Sequence, residues 1–222
     1  VRPPFCAWPG WPLLRSFARL YATVSLLFVV VYGGADLLTA QRTRLRIDFA
    51  WEAGIPLWPE FSWVYMSIYL PLLFAPFVLR SERELRALAR AAALVIGLAG
   101  LGFLLFPAEL GYPPPPALGG SLSARAFRVA DALNLRYNLA PSLHVALSSL
   151  ALGALATRAR PFGRWLLLAW ALLIGLSTLL THQHHVVDVV SGYALAGLAL
   201  APISRSPDVP APGQAASRKA VR

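Results

Sequence analysis

The sequence predicts an all-α integral membrane protein: a six-helix bundle with an amphipathic surface helix in its long outer loop. Three observations carry that prediction. Apolar residues make up 57% of the 222 positions and charged residues only 14%, against roughly 45–50% and about 25% in ordinary soluble domains. An excess of that size would leave large apolar patches bare on a soluble globule. Next, six stretches are continuously apolar over close to the ~20 residues that cross a hydrocarbon layer of about 30 Å. They do not alternate, so helices rather than barrel strands satisfy the backbone in lipid. Finally, the cations, 19 arginines and one lysine, lie mostly between those stretches, where topology signals belong. No basic segment stands apart, so no nucleic-acid partner is expected. The same arithmetic excludes a disordered chain, and the single cysteine, Cys6, excludes a disulfide scaffold.

The spans are expected at Leu20–Leu38, Ser62–Leu79, Ala87–Phe106, Pro141–Ala156, Trp165–Leu180 and Val186–Ile203. The first follows a Trp- and Pro-rich stretch and lacks a small-x-small cleavage site, so it reads as a retained helix. Ser81-Glu82-Arg83-Glu84 has the S-x-x-E form of a capping box, and Glu82 with Arg86 makes an i,i+4 pair, which starts the third helix. The long connection from Pro107 to Ala140 carries the stiff run Pro113-Pro114-Pro115-Pro116. Beyond it Leu122, Ala126, Val129 and Leu133 recur at helical spacing, with Arg125, Arg128 and Arg136 on another stripe. That pattern predicts an amphipathic helix over Ser121–Leu135, lying on the outer surface. With a cytoplasmic N-terminus, 14 cations fall inside and six outside, so both termini are expected on the cytoplasmic side of the inner membrane. Residues 1–203 form one domain, and the polar, Pro/Ala-rich segment 204–222 is expected to be a disordered cytoplasmic tail.

All four histidines fall in two short motifs, Asn138-Leu139-Ala140-Pro141-Ser142-Leu143-His144 and Thr181-His182-Gln183-His184-His185-Val186-Val187-Asp188. Ionisable side chains at membrane depth are costly and point to function. His144 opens the fourth span and His184 lies between the fifth and sixth, so both motifs reach the outer face and can converge. Pro141 suits the first turn of a helix, whose free N–H groups, with the Ser142 hydroxyl, would make an anion-binding end. His184 and Asp188 are i,i+4, so the carboxylate can fix the imidazole tautomer and leave the other nitrogen as a nucleophile. The set suits phosphoryl transfer through a phosphohistidine. Two other readings stay open at this point. His182, His184, His185 and Asp188 could ligate a metal, although no HExxH-type spacing is present, or the cluster could be structural.

Pro141-Ser142-Leu143-His144, followed by His184 and Asp188 in an H-x-x-x-D arrangement, resembles the type-2 phosphatidic acid phosphatase superfamily. Tyr137 to His144, Ser177-Thr178, Gln183-His184-His185 and the stretches Ile47–Leu57 and Tyr65–Tyr69 are closer to its inositol phosphorylceramide synthase-like branch. The resemblance implies a six-helix membrane bundle with no metal or other cofactor. It implies His184 as nucleophile, Asp188 as its partner and His144 as general acid; Ser142, Gln183 and, in place of the family's missing cations, Arg136 are expected as substrate-binding residues. Lipid phosphates or phospholipids are the implied substrates, and membrane lipids the surroundings. The sequence departs from the superfamily in two places. Its first motif carries basic residues that hold the phosphate, whereas the loop Phe106–Pro116 here has no cation. Ser177-Thr178 also stands where Ser-Arg is usual. Arg136, eight positions before His144, is expected to supply the missing charge, with Arg125 or Arg128 as secondary candidates. The expected function is a lipid-phosphate phosphatase or phosphotransferase acting at the outer membrane face. The alternative is a non-catalytic relative that binds anionic lipid, which the missing cations favour.

Overall fold

The computed structural model describes residues 4–135 and 137–204, and the described chain is overwhelmingly helical. Helices α1 (Trp11–Thr39), α2 (Ser62–Met66), α3 (Tyr69–Val78), α4 (Glu82–Leu105), α5 (Leu122–Leu133), α6 (Leu143–Ala156), α7 (Pro161–Leu180) and α8 (Val186–Ser204) follow in order. Two 3₁₀ turns, Ala50–Gly54 and Pro59–Phe61, precede α2. A two-residue parallel ladder joins β1 (Leu45–Arg46) to β2 (Ala108–Glu109) and ties the α1–α2 connection to the α4–α5 connection.

Every apolar stretch is helical, but the stretches are not equivalent. Trp11–Thr39, Pro59–Val78, Glu82–Leu105 and Pro161–Leu180 are long and apolar enough to cross a membrane, whereas Leu143–Ala156 and Val186–Ala201 are apolar but shorter. The chain is a membrane protein. Leu37 on α1, Leu172 on α7 and Leu198 on α8 remain 78%, 63% and 74% exposed, an apolar exterior that lipid would cover. The 14 residues of α6 rise about 21 Å, short of a ~30 Å hydrocarbon layer. This helix is apolar all round and therefore central: it packs against α3, α4, α7 and α8, with Val145, Ala146, Ala151, Leu152 and Ala154 fully buried.

The second stretch breaks between α2 and α3 because of Pro71. Proline has no N–H for the Ser67 carbonyl, and its ring crowds that group. Leu70 N donates there instead at 3.0 Å, and Trp170 Nε1 takes the Ser67 hydroxyl at 2.8 Å.

The two ends of the bundle differ. At one end the capping box forms as the sequence predicts: Ser81 Oγ accepts from Glu84 N at 3.3 Å, and Glu84 Oε2 accepts from Ser81 N at 3.1 Å. Glu82 pairs with Arg86 at 2.7 Å, and Arg158 Nε reaches Glu84 Oε1 at 2.8 Å, closing the α6–α7 turn onto α4. At the other end Trp58 N donates to Leu180 O at 2.8 Å and Ser142 N to Asp188 O at 3.1 Å, so the end of α7 meets the segment before α2 and the start of α6 meets that of α8. Gly102 makes room there. A Cβ on it would stand 2.7 Å from Pro141 Cδ and 2.9 Å from Ala140 O, so only glycine lets this segment lie on α4.

Two sequence expectations change at that end. Helix α6 starts at Leu143 with Ser142 as its N-cap, the hydroxyl accepting from Val145 N at 3.3 Å. Pro141 therefore precedes the helix instead of opening its first turn. The amphipathic helix α5 is present, capped by Ser121 Oγ on Ala124 N at 3.1 Å, and it docks on α2 and the Pro59–Phe61 turn. Its docked face is Ala124, Phe127 and Ala130, whereas Leu122, Val129 and Leu133 of the expected stripe stay exposed. Residues 205–222, which hold most of the expected tail, and Arg136 lie outside the described residues.

Candidate active site

The end of α7 builds the site. His182 N donates to Leu179 O at 3.0 Å and Gln183 N to Thr178 O at 2.9 Å, the paired bonds of a Schellman motif, with His182 in the left-handed position at φ 53°. Glycine usually fills that position, and a side chain there costs roughly 1–2 kcal/mol. Here the side chain has a use: His182 Nε2 bonds Ile55 O at 2.9 Å, and its ring stacks on Tyr112 at 4.0 Å. Burial pushes His182 below the usual imidazole range, more than that carbonyl offsets. Ser177 and Thr178 direct their hydroxyls to the Ile174 and Gly175 carbonyls, and Thr178 O also accepts from His184 N at 3.3 Å.

His184 is 5% exposed and Asp188 fully buried. His184 Nδ1 lies 3.2 Å from Asp188 Oδ2, the i,i+4 contact that the spacing predicts. The same oxygen accepts from His185 N at 2.8 Å, while Asp188 Oδ1 is buried without a partner. A carboxylate accepts only, so the Nδ1 facing it carries the proton. Nε2 of His184 has no hydrogen-bond partner among the described residues.

The ring of His144, 40 positions earlier, comes to 5.9 Å from the His184 ring. Tyr65 holds it from behind, with rings stacked at 4.6 Å and the hydroxyl 2.8 Å from His144 Nε2. Asn134 in turn meets the Tyr65 hydroxyl through Nδ2 at 2.6 Å. Asn134 also bonds the Gln183 carboxamide oxygen, and Gln183 Nε2 donates to Asp131 Oδ1 at 3.3 Å. Gln183 is thus clamped by the end of α5.

Beside His184 opens a cavity of about 280 Å³. Its walls include Tyr32, Tyr112, Tyr137, Asp131, Glu109 and the prolines 113–115. His184 and Gln183 line it; His144 and Ser142 do not. Among its described lining residues there is no arginine or lysine. Arg125 and Arg128 are exposed on α5, and Arg128 Nη1 is taken by the Leu118 and Gly119 carbonyls. Arg44 instead lays its guanidinium 3.8 Å over the Tyr137 ring. Its Nη1 donates to Thr39 Oγ1 at 3.1 Å, and Nη2 is buried without a partner.

Sequence reasoning missed Tyr65, Asn134, Glu52, Tyr112 and Arg44. Tyr65 lies in the Tyr65–Tyr69 stretch, but its 79-residue separation from His144 carries no spacing signal. Glu52 is flanked by apolar Ala50, Trp51, Ala53 and Ile55, which is the one sign that could have singled it out. Its Oε2 takes His185 Nδ1 at 2.7 Å. Burial, and then the Glu52 charge, raise the Tyr112 phenol above its ordinary value, so it stays protonated. Among the described residues no group of three or more His, Cys, Asp or Glu converges in a way that could hold a metal ion. The ring nitrogens of His182 and His185 that such a site would need face Ile55 O, Glu52 and Gly111 N instead.

The family model described as the PAP2 superfamily matches residues 57–202. No curated protein and no solved structure matches the chain. The matched segment holds His144, His184 and Asp188 and covers well over half the sequence, and the chain belongs to the PAP2 superfamily.

Proposed function

We propose that the protein is a lipid-phosphate phosphatase or phosphotransferase that works through a phosphohistidine on His184. Membership of the superfamily gives phosphatase or phosphotransferase chemistry at the coarse level. The observation that carries the finer reading is the state of the histidine nitrogens. His182, His185 and His144 each turn Nε2 to a partner, Ile55 O, Gly111 N and Tyr65 Oη respectively. His184 alone is braced at Nδ1 by a buried carboxylate and keeps Nε2 without a described partner, beside a cavity.

In the proposed reaction the Nε2 lone pair of His184 forms a bond to phosphorus as the bond from phosphorus to the lipid oxygen breaks. The leaving oxygen takes a proton from His144, which becomes neutral. The phosphorylated ring keeps its Nδ1–H on Asp188, whose charge offsets the cation. Water then attacks phosphorus, gives its proton to His144 and releases inorganic phosphate as the P–N bond breaks. An alcohol in place of water makes the same step a phosphotransfer, and the likeness of Tyr137 to His144 to the inositol phosphorylceramide synthase-like branch supports that version. General acid help of this kind contributes roughly 10²–10⁴-fold.

Ser142 and Gln183 are the proposed substrate contacts and Arg136 the proposed cation. Arg44, stacked on the ring of the next residue, Tyr137, is a second cation beside the same wall. Arginine asymmetry supports a site at the outer face of the inner membrane with both termini cytoplasmic. The test is release of phosphate from phosphatidic acid micelles by purified protein in excess chelator. Steady turnover is the expected result. Absence of release across lipid mono- and diphosphates would favour the alternative, a non-catalytic relative.

A further inference from the structure

A second acid–imidazole pair lies one residue beyond the proposed nucleophile. Glu52, in the Ala50–Gly54 turn and outside the segment that carries the family match, is 1% exposed. Its Oε1 accepts from Phe49 N at 3.1 Å. Its Oε2 faces three donors: His185 Nδ1 at 2.7 Å, Val186 N at 3.3 Å and the Tyr112 hydroxyl at 3.4 Å. The other nitrogen of His185, Nε2, accepts from Gly111 N at 2.9 Å. A backbone N–H can only donate, so Nε2 is bare and Nδ1 carries the ring proton.

One buried carboxylate thereby joins three separate segments. Through Val186 N it caps the first turn of α8, the turn that contains Asp188. Through His185 and Gly111 it pins the loop that forms the proline wall of the cavity. Through Tyr112 it holds a ring clamped between His182 at 4.0 Å and His185 at 4.6 Å. The Asp48 carboxylate lies close over this point of the loop: a Cβ on Gly111 would stand 2.5 Å from its carboxyl carbon. His184 sits between the two clamping histidines in sequence, so its backbone is held on both sides.

We infer that Glu52 is a positioning residue for the reaction, acting through His185 to fix the aim of His184 and the Tyr112 wall. This inference rests on His184 as the reacting group. It predicts a kinetic signature that a merely stabilising carboxylate lacks. In Glu52→Gln the amide offers one acceptor oxygen and one donating NH₂, so one of the N–H groups now on Glu52 meets a donor instead. Misaiming a reacting atom affects turnover more than binding.

The experiment measures phosphate release from phosphatidic acid micelles for wild type, H184A, E52Q, H185A and the E52Q/H185A double variant, with ring ¹⁵N spectra of the folded proteins. The expected result is a fall in kcat of about ten-fold or more for E52Q, with KM within about three-fold. H185A should fall comparably and the double variant no further, because the two act as one unit. Wild type should show His185 protonated on Nδ1. Unchanged kcat in folded E52Q, additive losses in the double variant, or a His185 proton on Nε2 would each overturn the inference. If E52Q does not fold, H185A and the wild-type spectrum still decide it. Full activity in H184A would instead overturn the reading of His184, so the two failures are distinguishable.

Discussion

His184 and His185 are adjacent in sequence, both buried, and each turns Nδ1 to a buried carboxylate. They differ at the other nitrogen. Gly111 N donates to Nε2 of His185, whereas Nε2 of His184 has no described partner beside the cavity. The carboxylates differ too. Glu52 collects donors from three segments, while Asp188 leaves Oδ1 without a partner. A satisfied pair fastens the fold; a pair with unused capacity on both members can take up charge and a new bond. The proposed reactivity at this end of the bundle is set less by which residue type is present than by what already occupies its lone pairs.

That contrast can be broken experimentally. The largest effect is expected from His184→Ala, which should cut phosphate release by about 10⁴-fold or more as the nucleophile is lost. The same change at His185 should leave measurable turnover at roughly a tenth of wild type. Equal losses would erase the distinction. Next comes Asp188→Asn, which keeps the shape but offers His184 an amide. A fall in kcat approaching ~10⁴-fold is expected, by analogy with the Asp→Asn change of the orienting acid in hydrolase triads, and phosphate burst kinetics would measure it. The smallest effect should follow Tyr65→Phe. One hydrogen bond to His144 is lost, about 0.5–1.5 kcal/mol, which is roughly a two- to ten-fold loss in kcat with the stacked ring preserved.

The satisfied pair was invisible in the sequence and the His184–Asp188 pair was not, for a physical reason. His184 and Asp188 are one helical turn apart, so spacing alone implies their contact. Glu52 and His185 are 133 positions apart, and only the packed loops bring them together. The same division runs through the fold. The apolar runs, the Ser81 capping box and the convergence of the two histidine motifs at one end follow from local pattern and alternating topology. The break at Ser67 was signalled by Pro71 but hidden inside an apolar run. On α5 the exposed stripe at Leu122, Val129 and Leu133 was legible, whereas docking through Ala124, Phe127 and Ala130 depended on small side chains that carry little hydropathy signal. Arg136, expected near His144 from its place in the sequence, lies outside the described residues, whereas the approach of Arg44 to Tyr137 from the α1–α2 connection had no sequence signal.

The most direct test of the account is to quench the protein during turnover of phosphatidic acid and map bound phosphate by mass spectrometry under alkaline conditions, where phosphohistidine survives. The account predicts an acid-labile phosphate on His184, absent from His184→Ala. Phosphate on His144, His182 or His185, or steady turnover with none trapped on any histidine, would contradict it.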